Sequence, residues 1–243
     1  MYLGYSRPGS PDELSDMIAQ SAAQGYNGLQ LKGGQYSPWL DDIDTFRRKF
    51  DISQIMGIIA YGSDEENLRR CIDFAGELRL EAVTWVPSWK RDQLNDAAYK
   101  SAAESLNRLG KYAQEKGTRL SLHNHLGQLF QDEEDLARFR QFAQPEYAGL
   151  TLDTAHLALG GVMDVAGVIR ECARYINLFH IKDLKGREFC PLGHGELDFD
   201  KIFEAIRDIW WFDGWLVVDD ESDQMTLEDA LSHAVKFMER YVL

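Results

Sequence analysis

The sequence has few cysteines, and their spacing excludes the usual cysteine-based frameworks. Cys71, Cys172 and Cys190 are an odd number without a CxxC pair, which argues against both a disulfide framework and a structural zinc site. Residues 1–9 also lack the charged start and apolar stretch of a signal peptide. We therefore expect a reducing, cytoplasmic location.

Long apolar runs and an excess of positive charge are also lacking. No apolar stretch reaches the roughly 18 residues of a membrane span. The chain has 26 basic and 40 acidic residues, a formal net charge of −14, whereas proteins that bind nucleic acid or anionic membranes normally display a basic field. Neither is an expected partner. We assign the acidity to solvated helix faces, such as residues 64–66 and 132–135.

No Pro/Gly/Ser-rich linker interrupts the 243 residues, so a single domain over residues 1–243 is the simplest expectation. Short apolar runs alternate with stretches of helical period, which indicates eight consecutive βα units. Strands are predicted at 2–5, 28–31, 52–60, 82–86, 119–123, 149–153, 176–180 and 215–218. Helices are predicted at 11–24, 41–50, 64–78, 97–116, 133–142, 165–175, 201–209 and 227–241.

Eight βα units in about 250 residues are typical of a (β/α)₈ TIM barrel, whose active site lies at the C-terminal ends of the strands. A doubly wound open sheet is the competing fold. That fold usually carries a glycine-rich phosphate turn after its first strand, and residues 4–9 lack this spacing.

Polar residues with metal-ligand chemistry lie where the predicted strands end. His123 ends the fifth strand and His125 follows it, Asp153 ends the sixth, and His180 ends the seventh. Neutral imidazoles and carboxylates are the donors that a divalent metal with an open coordination position requires. One strand-end histidine is more often a core or surface residue, but agreement among three strands favours a metal enzyme.

The last predicted strand ends in three acids, Asp219, Asp220 and Glu221. Alternation places Asp219 and Glu221 on one face and Asp220 on the other. We select Asp219 as a ligand because it lies at the same depth as His180. The alternative is a solvated acidic loop.

Together these segments resemble the xylose isomerase-like barrels, which include sugar isomerases and epimerases, inosose dehydratase and endonuclease IV. The resemblance is specific over the C-terminal half, and the greatest likeness is to inosose dehydratase. The segments that carry it are His123-Asn-His-Leu-Gly with Gln131-Asp-Glu-Glu, Leu152-Asp-Thr-Ala-His, His180-Ile-Lys-Asp, Pro191-Leu-Gly-His-Gly-Glu-Leu-Asp-Phe and Gly214-Trp-Leu-Val-Val-Asp.

The resemblance implies a metal held by a Glu after strand five, an Asp after six, a His after seven and a Glu or Asp after eight. Asp153, His180 and Asp219 match the last three positions, and His156 would contact a substrate oxygen. The first position departs from this pattern: His123-Asn-His stands where the family has Glu-Asn-His, so the ligand is an imidazole or comes from elsewhere, for instance Gln131.

Further candidates surround this set. The predicted catalytic groups are His125, His156, Lys182 and Glu221, and the predicted substrate-binding residues are Lys32, Tyr36, Trp39, Trp89 and Arg187. Lys182 shares a face with His180 and could hold an enolate oxygen or pair with an acid. The aromatic residues could stack on a sugar ring, or they could form a lid or a subunit contact. A subunit contact would make the protein a homo-oligomer.

The first functional hypothesis is a sugar isomerase or epimerase that uses Mn, Co, Fe or Zn rather than Mg and removes the α-proton of a keto-sugar or cyclitol ketone. Dehydration is the second, because a histidine in place of the missing carboxylate could help a hydroxyl depart. A non-catalytic sugar-binding barrel is the third. Phosphodiester cleavage would need more His and Glu ligands and a basic surface.

Overall fold

The computed structural model describes residues 1–91 and 95–242. Within them, eight parallel strands form a closed barrel in chain order, and the last pairs with the first. The barrel strands are β1 (Tyr2–Ser6), β2 (Gly28–Leu31), β3 (Ile55–Tyr61), β4 (Ala82–Val86), β5 (Arg119–His123), β6 (Gly149–Asp153), β7 (Ile176–Ile181) and β10 (Trp215–Asp219); β8 (Asp183–Lys185) and β9 (Glu188–Cys190) form an antiparallel hairpin. The predicted (β/α)₈ TIM barrel is confirmed.

Helices surround the barrel and pack on it through apolar faces. In the helix that precedes β10, Phe199, Ile202, Phe203 and Ile206 are buried, the three- and four-residue spacing of an amphipathic helix. The helices are α1 (Leu14–Ala23), α2 (Gly33–Tyr36), α3 (Ile43–Lys49), α4 (Glu65–Glu77), α5 (Asp96–Glu115), α6 (Glu133–Phe142), α7 (Thr154–Leu159), α8 (Val165–Cys172), α9 (Phe199–Asp208) and α10 (Leu227–Val242). No helix in the described part of the chain is long and apolar enough to span a membrane.

Two predicted boundaries are wrong for identifiable local reasons. The first helix begins at Leu14 rather than at residue 11, since the Glu13 carboxylate accepts the Ser10 N–H and holds the preceding residues in a turn. The third strand begins at Ile55 rather than at residue 52, because Asp51 accepts the N–H of Ser53 and caps a short 3₁₀ turn.

The assignment of two acidic stretches to solvated faces is wrong only at Asp135, since Asp64, Glu66, Glu133 and Glu134 are exposed. Asp64 and Asp132 cap the N-termini of α4 and α6 through their side chains, which satisfies N–H groups that have no partner within the helix. Asp135 is buried in a hydrogen-bonded cluster. Part of the negative charge therefore serves to start helices.

The barrel interior changes from apolar to polar along its axis. An apolar cluster of Met56, Ala82, Leu178, Trp215 and Val217 fills one part of it. Two residues further along three of these strands, the buried polar residues Thr84, His180 and Asp219 follow Ala82, Leu178 and Val217, on the same face because every second residue of a strand faces the same side. This polar layer supports the side chains at the C-terminal ends of the strands.

Candidate metal centre

Four buried side chains from neighbouring strands meet at the C-terminal end of the barrel. They are His123 of β5, Asp153 of β6, His180 of β7 and Asp219 of β10, and one donor atom from each lies within 4.8 Å of the other three. The structure thus brings together the four residues that the sequence selected as metal ligands.

The separations between these atoms suit a first-row divalent ion. His123 Nε2 lies 3.0 Å from His180 Nδ1 and 3.5 Å from Asp153 Oδ2. His180 Nδ1 lies 3.5 Å from the Oδ2 atom of Asp219. Ligands bound at about 2.0–2.2 Å in tetrahedral geometry are separated by about 3.3–3.6 Å, so the set requires little rearrangement to bind an ion.

Asp153 directs a free oxygen to this point because its other oxygen caps a helix. Oδ1 accepts the backbone N–H of His156 at 2.8 Å, at the start of α7. The Asn124 side chain accepts the Asp153 N–H and donates to its carbonyl oxygen, which fixes the backbone. Oδ2 is buried without a hydrogen-bond partner among the described residues. A buried carboxylate oxygen of this kind is what a bound cation would satisfy.

His180 is oriented by a hydrogen-bond chain across the barrel. Its Nε2 lies 2.6 Å from Gln30 Oε1, so Nε2 carries the proton and donates it, which leaves the Nδ1 lone pair for a metal. Gln30 in turn donates to Thr84 at 2.8 Å, and Thr84 bonds to Thr151 at 2.8 Å. Nδ1 of His123, by contrast, has no hydrogen-bond partner in the described part of the chain.

Three of the four donors, His123, Asp153 and Asp219, are in the protonation state that metal binding requires. Burial lowers the pKa of His123 to about 4, so the ring is neutral at neutral pH. Burial alone would raise the pKa values of Asp153 and Asp219, but neighbouring positive charge, above all on Lys182, outweighs it and holds both well below their usual range. Neutral imidazole and ionised carboxylate are the forms that bind metal.

Two lysines and a glutamate cover one side of the centre. Lys182 Nζ lies 2.6 Å from Asp219 Oδ2 and 2.8 Å from Glu221 Oε2. Lys32 Nζ lies 2.7 Å from the other oxygen of Asp219 and 2.5 Å from Glu221 Oε1. Burial opposes the charge on these lysines, but the facing carboxylates outweigh that cost and raise both pKa values. Glu221 shares the face of Asp219, whereas Asp220 turns away and accepts the Tyr5 hydroxyl.

Two imidazole rings lie on the His123 side of the centre. The rings of His125 and His156 lie 4.0 Å apart, and His156 is 5.4 Å from His123. Burial lowers the pKa of His156 to about 2. Phe189 of the β8–β9 hairpin contacts both sides: its ring is 5.0 Å from that of His156 and 4.6 Å from Lys182 Nζ.

Two predicted substrate-binding residues lie elsewhere. Tyr36 is buried outside the barrel with its hydroxyl donating to Ile59, and Trp39 packs against Phe46 and Phe50. Burial removes Tyr36 from ring stacking, whereas Trp39 is partly buried and packed against the core. Their placement corrects the expectation of exposed aromatics on the second loop.

The remaining predicted residues lie at the barrel mouth. Trp89 packs edge-on against Trp85, and Arg187 is exposed in the hairpin turn between β8 and β9. Gln131, the alternative ligand, instead accepts the N–H of Gly127 at 2.7 Å.

Some residues at the centre were not identified from the sequence. Gln30 and Asn124 position ligands, while Phe189 reaches the site from a three-residue strand that has no sequence pattern. Tyr61, at the end of β3, lies close enough that the charges of Lys32 and Asp219 influence its pKa, which burial raises. Only Asn124 carried a signal, since it stands within the His-Asn-His motif.

Comparison with known proteins gives one matching family and several relatives. The xylose isomerase-like TIM barrel family matches residues 18–241. An inosose dehydratase from Clostridium perfringens (strain 13 / Type A) is 28% identical over 162 residues, 59% of this chain and 54% of that protein. One from Clostridium tetani (strain Massachusetts / E88) is 29% identical over 270 residues, 94% of this chain and 88% of that protein. The chain thus spans about half the length of the first relative and most of the second.

Solved structures show the same fold at lower identity. A D-allulose 3-epimerase from Methylomonas sp. superimposes with a TM-score of 0.81 at 17% identity, covering 100% of this chain and 98% of that one. The IolI protein with a bound zinc atom gives a TM-score of 0.73 at 18% identity, with the same coverage. At this identity the likeness establishes the fold alone. The family match over residues 18–241 goes further: this chain belongs to the xylose isomerase-like TIM barrel family.

Proposed function

We propose that this chain is a divalent-metal-dependent enzyme that dehydrates a cyclitol ketone or a keto-sugar. The observation that supports this most is the asymmetry of the candidate centre. A carboxylate with two lysines lies on one side, at Glu221, and two imidazole rings lie on the other, at His125 and His156. The inosose dehydratases among its relatives support the same class of substrate.

His123, Asp153, His180 and Asp219 would hold the ion. When bound, it would supply Lewis-acid polarisation of the substrate ketone, which acidifies the neighbouring C–H bond. The resulting negative charge on the ketone oxygen is complementary to the ammonium groups of Lys32 and Lys182. The site is therefore suited to removing a proton next to a carbonyl group.

The two proton transfers are assigned to opposite sides. Glu221, ionised because the lysines lower its pKa against the effect of burial, accepts the proton from the α-carbon. His125, as the imidazolium ion, donates a ring proton to the hydroxyl on the next carbon, the C–O bond breaks, and water leaves as the new C=C bond forms. Proton exchange with solvent restores both residues, so one water is lost and no redox partner is needed.

Epimerisation or isomerisation, the first hypothesis from the sequence, is the second candidate. It shares the initial proton removal, and the imidazoles opposite Glu221 could return a proton to carbon. It would lack the symmetrical pair of metal-bound carboxylates, because His123 stands at the first position. The two reactions differ in whether water is lost.

The test uses an inosose and a panel of keto-sugars in deuterated water, with Mn²⁺-loaded and chelator-treated protein. Loss of water with growth of an unsaturated-ketone absorbance, only when metal is present, is the expected result. Deuterium in recovered ketone without loss of water would instead support isomerisation or epimerisation. Binding of the sugar with neither loss of water nor incorporation of deuterium would support a non-catalytic barrel.

The role of His125 can be separated from that of the metal. His125→Asn should slow dehydration about 100-fold or more while α-deuterium exchange continues, because only the second step needs this proton. His194→Asn, at an exposed histidine beside His233, is the matched control and should behave as wild type. Equal losses of exchange and dehydration would reject the assignment.

A further inference from the structure

We infer that Lys182 is the internal counter-ion of the metal pocket: its ammonium group binds the metal-facing carboxylate oxygens in the metal-free protein and leaves them when a divalent ion binds. The inference rests on the proposed metal dependence. It adds a role for this chain's own lysine that metal ligation alone does not require.

The distances place Lys182 on the same atoms that would bind the ion. Its Nζ lies 2.6 Å from Asp219 Oδ2 and 3.4 Å from Asp153 Oδ2. These two oxygens face the histidine donors, at 3.5 Å from His180 Nδ1 and 3.5 Å from His123 Nε2, respectively. An ion that is bonded to both oxygens would thus occupy the same small volume as the Lys182 ammonium group, and the two would compete for it.

Burial explains why a counter-ion is needed. Lys182, Asp153 and Asp219 are all at most 3% exposed, and two buried carboxylates without a cation would be strongly destabilising. An ammonium group and a divalent ion a few ångströms apart would in turn repel each other in this poorly solvated site. One cation therefore replaces the other.

The displaced ammonium group has a defined alternative position. Glu221 Oε2 already lies 2.8 Å from Nζ, and the Phe189 ring lies 4.6 Å away on the same side, where a cation–π contact is favourable. Movement towards Glu221 takes Lys182 to the side that the proposed function assigns to the substrate oxygen. Metal binding would then prepare that positive charge for the substrate.

Lys32 offers a matched control. It is also a buried lysine that contacts Asp219 and Glu221, but it reaches Asp219 through Oδ1 rather than the metal-facing Oδ2. Its removal deletes the same charge from the cluster without vacating the ion's position. The two variants thus separate the effect of losing one positive charge from the effect of freeing the position that the ion would occupy.

The experiment titrates metal-free wild type, Lys182→Met and Lys32→Met with Mn²⁺ by calorimetry at neutral pH. Lys182→Met should bind Mn²⁺ roughly tenfold more tightly than wild type. The gain in affinity in Lys32→Met should be clearly smaller, because only Lys182 occupies the ion's position. Affinity unchanged or weakened in Lys182→Met, or equal gains in both variants, would overturn the inference.

A second measurement needs no variant and covers the case in which Lys182→Met does not fold. In a crystal structure of wild type with Mn²⁺ bound at the centre, Nζ should have left both aspartate oxygens and kept its contact with Glu221. An ammonium group that keeps its ion-pair distances to both Asp153 and Asp219 beside the ion would overturn the inference while leaving the metal-dependent function intact. No Mn²⁺ bound by wild type would instead reject the proposed function.

Discussion

A single glutamine determines which nitrogen of His180 is available to a metal. Gln30 on β2 reaches His180 on β7 across the barrel interior, since β1 and β10 separate these strands in the barrel wall. Hydrogen bonds of this kind fix the tautomer and the ring orientation of metal-bound histidines. The position of one amide thus supports the whole ligand set.

The first prediction concerns this amide. Gln30→Met keeps the approximate volume but cannot accept the His180 proton, so Mn²⁺ affinity should fall about 10- to 100-fold, measured by calorimetry. Gln24→Met, on the residue that follows α1, is the control and should leave affinity unchanged. Wild-type affinity in Gln30→Met would mean that the ring is held by packing alone.

The residues of the candidate centre could be selected from the sequence because strand geometry is regular. Alternation and the common C-terminal edge of parallel strands are enough to place Asp153, His180 and Asp219 together. Gln30 could not be selected, because its partner lies across the barrel and its role depends on tertiary structure. Tyr36 was misplaced because the four-residue helix that contains it has too few residues to show a period.

At the scale of elements, one buried carboxylate joins two loops at the barrel mouth. Asp135, in the first turn of α6, accepts hydrogen bonds from the Arg91 guanidinium group and the Tyr99 hydroxyl. It also accepts the N–H of Gln131 at 2.9 Å. The loop after β4 and the loop after β5, which carries His125, are thereby fixed to each other.

The second prediction follows from this junction. Asp135→Ala should lower the free energy of unfolding by about 2–4 kcal/mol, since it leaves buried donors without an acceptor, as measured by urea denaturation. Glu133→Ala, an exposed acid in the same helical turn, should change stability by less than about 0.5 kcal/mol. Similar values for both would show that Asp135 behaves as a surface residue.

The sequence predicted the bounds of the secondary-structure elements well where the helices were long. Helices such as α5 (Asp96–Glu115) and α10 (Leu227–Val242) contain several turns and agree with the sequence prediction within a residue. The six-residue α7 and the β8–β9 hairpin were missed, since neither is long enough to repeat a pattern. Both lie beside the candidate centre, so the least predictable elements are those nearest the chemistry.

At the scale of the whole molecule, metal binding should be linked to stability. Mn²⁺ at about 100 times its Kd would stabilise the folded state by about 2.7 kcal/mol, which for a chain of this size raises Tm by about 5–10 °C. The measurement is a thermal melt with and without Mn²⁺. An equal Tm with and without the ion would count against a centre inside the barrel.

The third prediction ranks the ligands by this shift. Asp153→Ala and His180→Ala should abolish the gain in Tm, because each removes a donor that neighbouring groups hold in place. His123→Ala should keep part of it, since Nδ1 of His123 has no hydrogen-bond partner among the described residues to orient the ring, and His123→Glu should restore it. Complete loss in His123→Ala would make that residue an equal ligand.

The closure of the barrel by β10 against β1 has a consequence for biosynthesis. Ser6 lies opposite Asp219 in this pairing, so the contact joins the earliest and latest strands to leave the ribosome. Until β10 has emerged, the nascent chain has two unpaired sheet edges, which are exposed to mispairing with other chains. It also lacks one of the four donors. The complete set of four donors therefore exists only in chains whose synthesis has passed residue 219.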